Sequence, residues 1–168
     1  MELLKTLADY LTERSLKLTT AESCTSGLIA SMLGDCEGCG AWLECGFVTY
    51  SPEAKTALLG VHPETIRQHG LTSIAVAVEM AEGALRKSGT HIAIANTGVA
   101  GPDAAEDGTP PGTVCLAWAC SNGTAMRSYS ETRQFSGDRN TVRKSAARYA
   151  IERTLFYHRL WQQEHAKS

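Results

Sequence analysis

The sequence predicts an α/β protein, a three-layer α/β/α sandwich on a mixed, mostly parallel sheet. Three observations predict it. Short β-prone runs alternate with helix-period segments early in the chain, two β-prone runs follow one another around Ser121-Asn122-Gly123, and a long helical segment closes the sequence. At 168 residues, 43% of them hydrophobic and 20% charged, the chain suits a single domain, 1–168, with one well-filled interior.

Each element has its own reason. Leu4, Leu7, Ala8 and Leu11 recur at helical spacing, which predicts an opening helix ending near Ser15. Leu18 to Ala21 is β-prone; a polar turn follows, and Leu28 to Leu33 reads as a helix that Thr25 or Ser26 could cap. Gly34 to Gly40 reads as a loop and Leu43 to Tyr50 as a strand. Ser51 then stands at the cap position and Pro52 in the first turn of a helix carrying Lys55. Ile74, Ala77, Val78, Ala81 and Leu85 form one apolar helix face, and His91 to Asn96 reads as a buried strand. A glycine-rich turn, Thr97 to Pro102, leads into an acidic loop reaching Pro111. Thr113–Ala119 and Met126–Phe135 pair as strands, and Ser136 or Asp138 can cap a last helix running to about Trp161. No repeat or low-complexity tract interrupts this order.

Composition excludes several function classes. A net charge of -2 does not suit a surface that coats nucleic acid, which would be strongly basic. No apolar stretch is long enough to span a bilayer, and the early charges of Met1 to Lys5 do not make a signal peptide, so a cytoplasmic protein without a membrane partner is expected. The six cysteines then read as thiols rather than disulfides. Cys36 and Cys39 have metal-ligand spacing, but no second pair completes a four-ligand site, and the five histidines show no ligand spacing. No metal and no cofactor are expected. Whether copies of the chain associate into a homo-oligomer is open at this level.

Polar residues gather at four strand ends, where α/β proteins place ligands. The first group is Thr20 to Gly27: a serine on a strand-to-helix turn is exposed, and the helix start offers amide donors to an oxyanion or a phosphate. Capping by Ser23 and Thr25 is the commoner use of such residues. The second is Val48 to Lys55. A helix N-terminus disfavours a cation, so Lys55 is either a solvated surface charge or a lysine of depressed pKa able to act as base to a serine, with Tyr50 nearby to relay a proton. The third is Gly98 to Gly112, whose glycines allow backbone to approach a ligand closely. The fourth is Phe135 to Arg139 with Arg143 one turn later, where arginines beside a helix start suit a phosphate or simply face solvent.

Taken in order, these segments resemble the CinA C-terminal domain family. The resemblance is carried by Ala21-Glu22-Ser23-Cys24-Thr25, Gly46 to Ser51 with Lys55, Thr97-Gly98-Val99-Ala100-Gly101-Pro102, Gly112-Thr113-Val114, and Phe135 to Arg139 with Val142-Arg143. It runs from about Leu4 to Tyr157. Stand-alone members of that family hydrolyse the carboxamide of nicotinamide mononucleotide, giving nicotinate mononucleotide and ammonia. The resemblance implies Ser23 as nucleophile, Lys55 and Tyr50 as its partners, no metal, and a pyridine nucleotide as the small-molecule substrate. Glu22, Thr25, Thr97, Gly98, Gly101 and Arg139 are the expected substrate-binding residues.

Two departures from the family pattern stand out: Ser26 occupies a usual glycine position, and the 103–111 loop carries Ala104, Ala105, Thr109 and Pro111 where glycines, a lysine and a valine are usual. The altered loop motivates a rival reading, a non-catalytic nucleotide-binding or regulatory module; the combination of Ser23, Tyr50 and Lys55 speaks against it. Within the enzymatic reading, Cys24 at a helix start is the second candidate nucleophile.

Overall fold

The computed structural model describes residues 2–165; residue 1 and residues 166–168, which the predicted domain also spans, lie outside the described residues. The elements run α1 (Glu2–Glu13), β1 (Leu18–Glu22), α2 (Leu28–Gly34), a 3₁₀ turn (Cys39–Ala41), β2 (Leu43–Val48), α3 (Pro52–Leu59), α4 (Pro63–His69), α5 (Ile74–Ser88), β3 (Ile92–Gly98), β4 (Thr113–Ser121), β5 (Met126–Gln134) and α6 (Arg139–His165). The five strands form one sheet ordered β2-β1-β3-β4-β5. β2, β1 and β3 are parallel, whereas β4 and β5 each pair antiparallel with the strand before, so the sheet is mixed as expected.

Strand alternation sorts the two faces by size. Ile92, Ile94, Val114, Leu116 and Trp118 pack toward α1, α2 and α6. Their neighbours Ala93, Ala95, Cys115, Ala117 and Ala119 pack toward α5 and the end of α3. Small residues on that second face let α5 lie close to the sheet. The closeness continues sideways: a Cβ on Gly83 would stand 1.9 Å from the Leu59 carbonyl oxygen, so only glycine lets α5 pass the end of α3.

Several predicted boundaries shift for identifiable reasons. β2 ends at Val48 rather than Tyr50, because the Thr49 and Tyr50 carbonyls turn to accept from Lys55 Nζ. Ser51 caps α3 as predicted, its hydroxyl accepting from Ala54 N. α4 was not predicted; Pro63 in its first turn and Glu64 beside it are its start signals. The expectation that Thr25 or Ser26 caps α2 is corrected. The cap is Gly27 at φ 90, with no side-chain cap bond, and Ser26 before it holds φ 53.

The register places the four polar segments on one edge. Glu22 lies opposite both Val48 and Asn96, Gly98 opposite Val114, and Thr113 opposite Gln134. The chain leaving β1, β2, β3 and β5 therefore emerges at the same end of the sheet. Successive parallel connections also go to opposite sides of β1, which opens a crevice there.

Candidate active site

Ser23 is the first residue beyond β1, and its amide donates to the Asn96 carbonyl on β3 (3.2 Å). Its hydroxyl oxygen accepts from Lys55 Nζ at 2.8 Å. Lys55 is 0% exposed, and its other acceptors are the carbonyls of Thr49 (2.5 Å) and Tyr50 (3.1 Å). No carboxylate lies within ion-pair distance of it among the described residues. Burial without a counter-ion pushes its ammonium down from the ordinary 10.5 to about 8, the nearby Cys24 acting in the opposite direction. A lysine with that pKa is partly neutral near physiological pH, which lets it take a proton from the serine it touches.

The turn after Ser23 is tied down almost completely. Glu22, fully buried, accepts from Thr25 Oγ1 (2.6 Å), Ile29 N (2.9 Å) and Ala30 N (2.8 Å). Its carboxylate thus occupies the start of α2, where the dipole favours a negative charge. The expectation that this helix start offers free amides to a substrate anion is corrected: Glu22 holds two of those amides itself. Asn96 Oδ1 accepts from Cys24 Sγ (3.2 Å) and Thr25 N (3.4 Å), and Nδ2 donates to Thr25 Oγ1 (2.7 Å). Glu22 and Thr25 therefore face the turn rather than open solvent. Cys24 is buried, and burial pushes its thiol up to about 12, which removes the thiolate that a nucleophilic role would need.

At the same end of the sheet lies an open cleft of about 340 Å³, bounded by Tyr50, Leu71, Thr72, the Gly98–Asp103 segment, Asp107 and Arg139; Ser23 and Lys55 are not part of its lining. Arg139 donates to the Gly101 carbonyl (2.7 Å) and to the Tyr50 hydroxyl (2.9 Å). It makes no ion pair among the described residues; Asp138 instead accepts from Thr141 N (2.8 Å) at the start of α6. The Tyr50 ring is 53% exposed, and its hydroxyl belongs to the Arg139 side of the cleft; only its carbonyl reaches Lys55. Thr97 donates to the Leu71 carbonyl (2.9 Å) and so ties one wall of the cleft to β3. Gly98 has a different reason to be glycine from the one expected. A Cβ there would meet the Thr113 carbonyl of β4 at 2.8 Å, so the close approach is to a strand. Gly101 holds φ 92 against Pro111 and presents its carbonyl to Arg139.

Sequence reasoning missed Asn96, whose signal was a polar residue at the end of the otherwise apolar Ile92–Ala95 run. Arg143, for which a phosphate contact and a solvated face were both open, instead donates to the carbonyls of Cys24 (3.1 Å) and Thr25 (3.0 Å). An apolar groove of about 380 Å³ between α3 and α4, lined by Pro52, Glu53, Thr56, Ala57, Pro63 and Ile66, contains none of these residues and offers no cation for an anionic ligand.

The model of the CinA C-terminal domain matches residues 1–157. The nicotinamide-nucleotide amidohydrolase PncC of Escherichia coli (strain K12) is 44% identical over 165 residues, 97% of this chain and 93% of that protein. The PncC of Pseudomonas putida is 43% identical over 149 residues, 89% of this chain and 91% of that one. The crystal structure of the competence damage-inducible protein A (ComA) from Klebsiella pneumoniae superposes with a TM-score of 0.85 at 42% identity, covering 89% of this chain and 91% of that chain. The chain belongs to the CinA C-terminal domain family.

Proposed function

We propose that this protein is a nicotinamide-nucleotide amidohydrolase, converting nicotinamide mononucleotide and water to nicotinate mononucleotide and ammonia. The observation that carries the chemistry is the 2.8 Å contact between Ser23 Oγ and the buried Nζ of Lys55. The relatives named for that activity, which align over nearly the whole chain, support the substrate.

In this reading neutral Lys55 takes the Ser23 proton as Oγ attacks the carboxamide carbon. The negative charge that develops on the carboxamide oxygen needs donors already in place. The Cys24 amide, which donates to no other residue among those described, is the uncommitted donor next to the nucleophile in sequence. Protonated Lys55 returns its proton to the departing nitrogen, releasing ammonia and leaving an acyl ester on Ser23. Water, deprotonated by the same lysine, then cleaves the ester to the carboxylate product, and Lys55 returns that proton to the departing Ser23 Oγ.

Arg139 and the Gly98–Gly101 segment hold the nucleotide, with the unpaired guanidinium toward its phosphate. Tyr50 shapes that cleft and, through its carbonyl, helps hold Lys55. Glu22 and Thr25 serve substrate binding indirectly, by holding the turn. The chain works as one domain in the cytoplasm, where its free cysteines stay reduced. Incubating purified protein with nicotinamide mononucleotide and measuring ammonia and nicotinate mononucleotide tests the proposal; stoichiometric release supports it, and binding without release would favour a regulatory module.

A further inference from the structure

Each peptide of the nucleophile turn can be followed to its partners. The 23–24 peptide gives its carbonyl to Ser26 N (3.0 Å), and its N–H, on Cys24, donates to no other residue among those described. The 24–25 peptide is held at both ends, its N–H by Asn96 Oδ1 and its carbonyl by Arg143 Nε. The Thr25 carbonyl is shared between Leu28 N (3.1 Å) and a second guanidinium nitrogen of Arg143. Arg143 is thus the only partner of the Cys24 carbonyl among the described residues, and it reaches the turn from α6, on the far side of the sequence.

The conformation held this way is not a relaxed one. Ser26 sits at φ 53, in the left-handed region that L side chains disfavour, and such strain persists only where surrounding contacts over-determine it. Asn96 and Glu22 brace the turn from the sheet side, and Arg143 braces it from the helix side. A planar guanidinium suits two consecutive carbonyls because its donors form a rigid fork; an ammonium has no such geometry.

We propose that Arg143 is a positioning residue for the nucleophile rather than a phosphate ligand. By fixing the plane of the 24–25 peptide it fixes the Cα of Cys24, and so both the aim of the free Cys24 N–H and the placement of Ser23 Oγ against Lys55. This rests on the amidase reading for its substrate, but not for its geometry.

The experiment compares Arg143→Ala and Arg143→Lys with wild type on nicotinamide mononucleotide and on the dephosphorylated riboside. A positioning role predicts that kcat falls about ten- to a hundredfold on both substrates with KM within about threefold, that Arg143→Lys recovers little of it, and that free guanidinium at low concentration restores part of the Arg143→Ala rate. A KM increase confined to the mononucleotide with kcat unchanged would overturn the proposal in favour of a phosphate contact, and so would full activity. If Arg143→Ala fails to fold, Arg143→Lys, which keeps the aliphatic stem, carries the same comparison. Should wild type release no ammonia, the amidase reading fails separately. The rate at which phenylmethanesulfonyl fluoride sulfonylates Ser23, with loss of fluoride, then decides the geometry: slower labelling in the variant supports positioning, equal labelling overturns it.

Discussion

Lys55→Met removes the ammonium while leaving an unbranched side chain in the same buried slot. In the folded protein Lys55 loses its proton near pH 8, against 10.5 when solvated. That difference, about 2.5 pH units, corresponds to about 3 kcal/mol at ~1.36 kcal/mol per unit. Between those two values the unfolded chain keeps the lysine proton and the folded chain does not. Unfolding then takes up a proton, so raising the pH through this window favours the folded state. Wild type is therefore expected to gain stability over Lys55→Met by about 1.4 kcal/mol per pH unit between pH 8 and 10.5, approaching about 3 kcal/mol, with a flat difference below pH 8. Cys24 and Cys120, held near 12 by burial, work in the opposite direction because they ionise first in the unfolded chain. They are common to both proteins, and the difference largely removes them. Urea unfolding of both proteins from about pH 7 to pH 10 measures the effect. The activity of wild type should rise over the same region, levelling as Lys55 becomes neutral, while Lys55→Met loses several orders of magnitude. Parallel stability profiles across that range would mean that Lys55 titrates as a solvated lysine, and the general-base assignment would fall with it.

Ser23→Ala should abolish turnover while Cys24→Ala stays within about tenfold, since the Cys24 thiol is buried and donates to Asn96; the opposite result in steady-state kinetics would move the nucleophile to the cysteine. Arg139→Ala removes a cleft cation that has no ion pair among the described residues and should raise KM for the mononucleotide about ten- to a hundredfold, the equivalent of roughly 1.5–3 kcal/mol, with little change on the riboside; equal losses on both would take Arg139 out of the phosphate site. Ser26→Gly relieves φ 53 at a position where glycine is unstrained, and should raise thermal stability by roughly 1 kcal/mol with activity retained; a fall in Tm would show that the serine side chain contributes something its backbone conformation does not reveal.

The parts of this protein that were legible in the sequence are those set by local chemistry. Ile92 to Ala95 alternates large and small residues, and the two sheet faces follow that alternation. Ser51-Pro52 marks the start of α3 because a cap hydroxyl and a missing N–H are both needs of a helix's first turn. Lys55 was conspicuous for the same reason in reverse, as a cation where the helix dipole is positive. Yet its burial depends on β2 ending early and turning two carbonyls onto Nζ, an arrangement no window of sequence contains.

Two errors share one cause: they concern groups whose partners lie outside their own turn of chain. The start of α2 looked like an open anion site because the first amides of a helix have no partner within the helix itself. The partner is Glu22, which lies seven and eight residues before the two amides it holds, at the end of the strand. Arg143, near a helix start, suited either a phosphate or solvent, and it reaches the turn after β1 only because α6 crosses the face of the sheet from which that turn emerges. The consequence for mechanism is a division of labour between two arginines one helical turn apart. Arg139 lines the cleft with no ion pair among the described residues, and Arg143 turns two of its nitrogens onto the carbonyls of Cys24 and Thr25. An oxyanion donor must already point at the reacting oxygen before charge develops there, and a free amide on a strained turn keeps its aim only while every neighbouring peptide is held. In the proposed reaction the buried carboxylate of Glu22, the buried amide of Asn96 and the inward Arg143 therefore serve by holding the turn that carries Ser23.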